Sequence, residues 1–297
     1  MRLIAGRLNR RVLTWLLLLA TAALAGCSSS NAVLPSGATD TPVPSLSATA
    51  VPPGEAITAP FDLPIMMYHH VSIAPPPQDV NNSLSPEAFA QQLNYLQSAG
   101  YTPITIAQMF EAVAGRSRLP NRPIILTFDD GYEDQYAEAL PLLKQHGFVA
   151  SFAIISGFVE GGGPYMTWAQ MREMAKDGME FTSHTVTHID MNTSDDDTVR
   201  GEAAESKRSL EEHLGQTIRF LVYPSGEPFR SGSEERQNAV VSILKEEGYE
   251  GALLAGPSTT RQDPQTPFAL SRVRVGNGES IEGYAASIGG PPAAASR

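Results

Sequence analysis

The sequence predicts an α/β domain of parallel strands with helices packed outside them. Three observations lead there. Short apolar runs alternate with amphipathic stretches that open on cap residues and close on glycine. The run from Pro123 to Phe128 is apolar almost throughout, as in a strand buried on both faces of a parallel sheet. The chemistry-bearing residues Asp129, Asp130 and His184 and the turn Tyr223-Pro224-Ser225-Gly226 each follow a strand, where parallel α/β folds place active groups.

The elements follow in order. Pro64 to Tyr68 reads as the first strand. Ser85-Pro86-Glu87 is a helix start, with Ser as N-cap, Pro in the first helical position and an acid in the first turn. Phe89, Leu93 and Leu96 give that helix its apolar face, and Gly100 ends it. Thr105 caps a second helix closed by Gly115, and the strand Pro123–Phe128 follows. A helix over Gln135–His146 stops at Gly147, and a strand runs from Val149 to Ile154. Thr167 to Gln170 is a capping box opening a helix to Gly178. Met179–Thr182 is a strand running into the histidines. A long charged helix spans Asp197–Leu214, then come a strand at Ile218–Tyr223, a helix at Glu234–Glu247, and strands at Gly251–Ala255 and Leu270–Val275.

Both ends of the chain have a different character. Four arginines precede the apolar stretch Val12 to Ala25, which is too short for an ordinary membrane span and fits a signal-peptide core. It leads into Leu24-Ala25-Gly26-Cys27, which resembles a bacterial lipobox, so residues 1–26 are expected to be removed and Cys27 lipidated. Cys27 is the one cysteine of the chain, which leaves none for a disulfide. Residues 27–62, rich in Ser, Thr, Ala and Pro, read as a flexible tether, 63–288 as the folded domain, and 289–297 as an unstructured tail. The expectation is an exported domain, anchored by lipid to the cell membrane or an outer membrane and facing outside the cytoplasm.

Charge narrows the partners. The chain has 21 basic and 32 acidic residues, and residues 1–26 hold four of the basic ones. What remains is near −15, with no basic patch, so nucleic acid is not expected as a partner. The same acidity argues against strongly anionic substrates. A monomer is expected.

Two motifs carry chemistry. Leu126-Thr127-Phe128-Asp129-Asp130-Gly131 ends an apolar run in paired carboxylates, and Ser183-His184-Thr185-Val186-Thr187-His188 offers two imidazoles four residues apart. Neighbouring side chains on a strand face opposite ways, so one Asp can ligate a metal while the other faces substrate. Two His and one Asp make a three-ligand site with an open position, as catalytic metals require. The remaining Asp is free to act as a base on bound water. His and Asp donors favour a borderline ion, Zn, Ni, Co or Fe, over Mg or Ca. Trp168 offers a ring for sugar stacking, with core packing or capping as its other use.

These motifs, with Pro64-Ile65-Met66-Met67-Tyr68-His69-His70-Val71 at the domain start and the stretch Met166 to His188, resemble the polysaccharide deacetylases of carbohydrate esterase family 4, the NodB-homology domain. The Tyr-His opening is similar to the branch of biofilm poly-N-acetylglucosamine deacetylases. The resemblance covers about residues 64–285. It implies a distorted (β/α) barrel of about seven strands and metal-dependent deacetylation of a glycan, with zinc the first candidate. The implied substrate is an N-acetylated poly-N-acetylglucosamine or chitin-like polysaccharide; peptidoglycan, O-acetyl xylan and inactive glycan binding are the alternatives. Carried over, Asp130, His184 and His188 ligate the metal and Asp129 is the base. The Ser225 N–H is the oxyanion donor, with Tyr223 and Pro224 beside substrate. In most of the family the general acid is a His near the domain's C-terminus, and no His follows His213 here. The biofilm branch supplies the acid from its Tyr-His segment, so the resemblance implies His69, with His70 less suited because it points the other way on a strand. Val222 stands where the common pattern has an Arg that orients the base; Arg272 is the replacement candidate, and Arg274 the second. Ser225 replaces the usual aromatic, which removes a wall of the acetyl pocket.

Overall fold

The computed structural model describes residues 54–291. Its centre is a sheet of seven parallel strands: β1 Ile65–Tyr68, β2 Pro123–Phe128, β3 Ser151–Ile154, β4 Glu180–Ser183, β5 Phe220–Val222, β6 Gly251–Leu253 and β7 Val273–Arg274. The spatial order is β6-β5-β4-β3-β2-β1-β7. Val273 pairs with Met66 of β1, while Leu270 bridges to Leu253 of β6, so one segment touches both sheet edges. The sheet thus curls into a distorted (β/α) barrel.

Strand periodicity sorts the residues. Ile65, Ile125, Ala153, Phe220, Val222, Leu253 and Leu270 fill the barrel interior. Met66, Tyr68, Leu126, Phe128, Phe152 and Phe181 face the surrounding helices. Each such side chain taken fully out of water contributes roughly 1.5–3 kcal/mol before conformational entropy is set against it. The same alternation carries function. Thr127 and Asp129 continue the inward face of Ile125, and Arg272 continues that of Leu270, so both charged groups arrive at the barrel mouth.

The helices start where caps were expected. Ser85 accepts from the Ala88 N–H ahead of α1 (Pro86–Ser98). Thr105 with Gln108 and Thr167 with Gln170 form capping boxes for α2 (Ile106–Val113) and α4 (Trp168–Lys176). Asp195 and Ser233, caps that the sequence reading did not name, open α5 (Asp196–Leu214) and α6 (Glu234–Glu246).

Several features differ from expectation. Residues 135–146 are not one regular helix: Gln135–Ala139 is a π turn that passes into α3 (Leu140–His146). Pro141 lacks the N–H that a regular turn would give to residue 137, and the wider turn accommodates this. A short strand at Thr102–Pro103 alongside β2 and a last helix, α7 (Ile281–Ser287), were not predicted. The expected tether boundary at 62 falls inside ordered chain. Gly54 and Ile57 donate to the carbonyls of Gly115 and Val113, and Phe61–Asp62 pairs antiparallel with Arg261–Gln262. At the other end, the Tyr95 hydroxyl donates to the Pro291 carbonyl at 2.7 Å, within the segment expected to be unstructured. The signal segment 1–26, Cys27 and most of the tether lie outside the described residues, as do residues 292–297. Among the described residues no helix is long and apolar enough to cross a membrane.

Candidate metal and catalytic site

The site is built at the carboxyl ends of the strands. Asp129 leaves β2 with inward parity, and Asp130 turns out of the strand at φ 74°. Gly131, at φ 79°, sits so close to Ile154 that a Cβ there would lie 3.1 Å from its Cδ1, so this exit needs glycine. His184 follows β4 and His188 ends the loop after it. The imidazole Nε2 atoms of His184 and His188 lie 3.4 and 3.7 Å from Asp130 Oδ1. One ligand atom from each residue can be chosen so that all three lie within 4.8 Å of one another. Tetrahedral coordination with bonds of about 2.0–2.2 Å separates neighbouring ligand atoms by roughly 3.3–3.6 Å, so this trio suits a single divalent ion with one position open.

Second partners fix the ligands. His184 Nδ1 lies 2.7 Å from the Val222 carbonyl, so Nδ1–H donates there and Nε2 is left for a metal. Val222, conspicuous as a side chain in the sequence, contributes its backbone. The histidine loop carries two non-glycine residues in left-handed conformation, Thr185 at φ 65° and His188 at φ 59°. That is costly for a β-branched residue and persists only where the surroundings enforce it. Glu202 on α5 supplies the enforcement: its carboxylate accepts from the Val186 and Thr187 N–H groups, both at 2.8 Å, and from the Thr187 hydroxyl at 2.7 Å.

Asp129 is held by Arg272. The guanidinium donates Nη1 to Oδ1 at 2.6 Å and Nη2 to Oδ2 at 2.8 Å. Its Nε donates to the Leu254 carbonyl, and Nη1 also donates to the Thr127 hydroxyl. Both partners are buried. Burial alone would raise the Asp129 carboxyl; the Arg272 charge and hydrogen bonds override it and hold the group below the usual carboxylate range. Asp130 is likewise held low, against its burial, by His184.

His69 Nε2 stands 3.9 Å from Asp129 Oδ2 on the same side of the cleft, and burial pushes its pKa down. His70 points to the opposite face, where Nδ1 meets Asp134 at 2.6 Å and the ring stacks on Tyr132. Gln135, unremarked in the sequence, ties two site segments together: its amide donates to the carbonyls of Asp129 and His69.

Asp129, Asp130, His69, His184, His188, Tyr223 and Ser225 all line one cavity of about 360 Å³. Ser225 sits exposed at φ 54° in the turn after β5. Pro224, in the same turn, is buried and does not line that cavity. Trp168 corrects the sequence reading more fully. Its ring stacks on His213 at 4.1 Å between helices and joins the outer core, so it does not line the cleft. Arg274, the second candidate for holding Asp129, instead donates to Asn82 on the rim.

The polysaccharide deacetylase family profile matches residues 116–252. YxkH of Bacillus subtilis (strain 168), whose name assigns it to the polysaccharide deacetylases, is 30% identical over 231 residues, 77% of each chain. The poly-beta-1,6-N-acetyl-D-glucosamine N-deacetylase of Escherichia coli (strain K12) is 32% identical over 118 residues, which is 35% of this chain and 18% of that protein. Among solved structures, the Streptococcus pyogenes deacetylase PplD in complex with acetate superposes with a TM-score of 0.69 at 27% identity, covering 77% of this chain and 99% of that one.

Proposed function

The chain belongs to the polysaccharide deacetylase family, hydrolases acting on amide bonds, and on that premise we propose that it removes acetyl groups from an N-acetylated extracellular polysaccharide, poly-N-acetylglucosamine first. One observation carries this reading. A buried carboxylate locked to an arginine and a three-ligand Asp/His cluster face each other in one open cleft.

The roles follow from placement. Asp130, His184 and His188 would hold a divalent ion, zinc first, with nickel, cobalt or iron as the other candidates. Such an ion supplies Lewis acidity that polarises the acetyl carbonyl and makes water a stronger acid. Asp129, kept ionised by Arg272, accepts the proton of the attacking water. The Ser225 N–H donates to the oxygen that becomes negative as the carbonyl carbon turns tetrahedral. His69, across the cleft from Asp129, delivers a proton to the leaving nitrogen; its lowered pKa makes the protonated ring a better acid. The free amine and acetate are the products. The sequence features around Cys27 support export and a lipid anchor, which would place the domain beside surface glycans.

Asp129→Asn tests the central role. It is expected to reduce acetate release by roughly 100-fold or more, the scale of a lost general base, while the protein still binds one zinc per chain. Turnover near wild type in that variant would remove Asp129 as the base.

A further inference from the structure

We propose that the cleft contains an anion subsite formed by Arg230 and Arg274, so that the preferred substrate is an N-acetylated glycan carrying a carboxylate or phosphate near the acetamido group. This rests on the deacetylase reading and places an anionic N-acetylated glycan ahead of neutral poly-N-acetylglucosamine as its substrate.

The first observation is the use of arginine in this chain. Carboxylates outnumber cations, 32 to 21, and many surface arginines pair with them: Arg116 with Glu111, Arg200 with Glu246 and Glu247, Arg208 with Glu205 and Glu212, Arg236 with Asp196. Arg122 and Arg172, away from the cleft, donate instead to the backbone carbonyls of Ala99 and His213. Arg230 and Arg274 have no carboxylate partner among the described residues. Arg274 has only the neutral Asn82 carbonyl. Both guanidinium-bearing residues line the cavity that holds Asp129 and the metal-ligand trio. The only carboxylates among that cavity's lining residues, Asp129 and Asp130, are already committed, one to Arg272 and one to the histidines.

The second observation is where they stand. The metal ligands come from the ends of β2 and β4. Arg230 follows β5 and Arg274 ends β7, and these strands flank β6 in the barrel. The two cations therefore occupy the opposite sector of the mouth. Arg274 extends the inward face of Leu270 and Arg272, one step nearer solvent.

The third observation is the shape. A second cavity of about 360 Å³ adjoins the cleft, sharing Arg230 and Ala255 with it and lined also by Gly226, Phe229, Gly256 and Pro257. Arg230 thus faces both cavities, and the short, exposed Ser225 lines the cleft on the same side. A planar guanidinium free of partners is suited to paired hydrogen bonds with a carboxylate or phosphate. The overall acidity of the chain pointed away from anionic substrates; its charge distribution reverses that locally.

The test compares kcat/KM for acetate release by the zinc-loaded enzyme on three probes of matched length. These are chitin oligomers (neutral), hyaluronan oligomers (carboxylate on the neighbouring sugar) and 6-phosphorylated chitin oligomers. The wild type is expected to prefer an anionic probe, and whichever of the two wins identifies the anion. Arg230→Gln and Arg274→Gln are each expected to lower that preference by roughly tenfold or more, mainly through KM, the scale of a lost charge-assisted hydrogen bond. Arg230→Lys should restore part of it. Comparing ratios between wild type and variant cancels differences of linkage among the probes. A preference that is the same in wild type, R230Q and R274Q overturns the proposal, as does a wild-type preference for neutral chitin. If neither these probes nor poly-N-acetylglucosamine releases acetate, the deacetylase reading itself fails, and calorimetric binding of the same probes decides the subsite. Binding lost in R230Q keeps it, and absence of anion-dependent binding ends it.

Discussion

Replacing Arg272 by methionine removes four hydrogen bonds and one buried charge at once. The guanidinium spans Asp129, Thr127 and the Leu254 carbonyl, with no exposed surface of its own. Asp129 would remain, buried, with His69 at 3.9 Å as its nearest basic neighbour. Removing one partner of a buried ion pair costs about 3–5 kcal/mol, because the other charge is stranded. A domain of this kind has about 5–15 kcal/mol in total, so the loss is a large share. In urea unfolding, with zinc held at one concentration, the midpoint is expected to fall by more than about 1 M at an ordinary slope. Adding Asp129→Leu to Arg272→Met should recover at least half of the loss, since neither charge is then left alone, and the pair should be strongly non-additive. An R272M protein within about 1 kcal/mol of wild type would refute the reasoning, as would a double variant less stable than R272M.

Further predictions concern the supports of the site. Glu202→Ala deletes the clamp on the histidine loop and is expected to weaken zinc affinity roughly 10- to 100-fold with the fold retained; competition with a chromophoric chelator measures it, and unchanged affinity would show that the strained loop holds itself. Glu111 is pulled down to about 2, chiefly by its hydrogen bond to Arg116, with Arg219 adding to it. Its folded pKa is depressed, so its contribution is complete above its unfolded value near 4.5 and is lost as pH falls toward 2. Because the pair is largely exposed, Glu111→Gln should cost no more than about 1 kcal/mol at pH 7, and thermal melts of the two proteins should converge on acidification.

Much of this site could be read in the sequence because its parts are local. The run from Leu126 to Gly131 shows a strand, its end and the two carboxylates together, and the histidines share one short loop. Strand parity also predicted that His69 and His70 would part company, as they do. The supports were invisible for a physical reason. Glu202 is one of several glutamates on α5, with Glu205, Glu211 and Glu212 also on that helix, and only the packing of α5 beneath the histidine loop distinguishes it. Gln135 acts through a π turn that no periodicity announces. Trp168 misled because an aromatic ring near a catalytic motif suggests stacking, whereas its neighbour in space is His213, far along the chain. Whole-chain charge is silent on local detail, since it averages over a surface on which Arg230 and Arg274 line one cleft.

The central claim is that hydrolysis at this cleft depends on a divalent ion held by Asp130, His184 and His188. Acetate release from poly-N-acetylglucosamine and from chitin oligomers, measured with residues 28–297 before and after chelation and after zinc, cobalt or nickel is returned, tests it most directly. Chelation is expected to stop release and returned metal to restore it, except in a His188→Ala protein. Release that persists through complete chelation, or that H188A sustains at the wild-type rate, would contradict it.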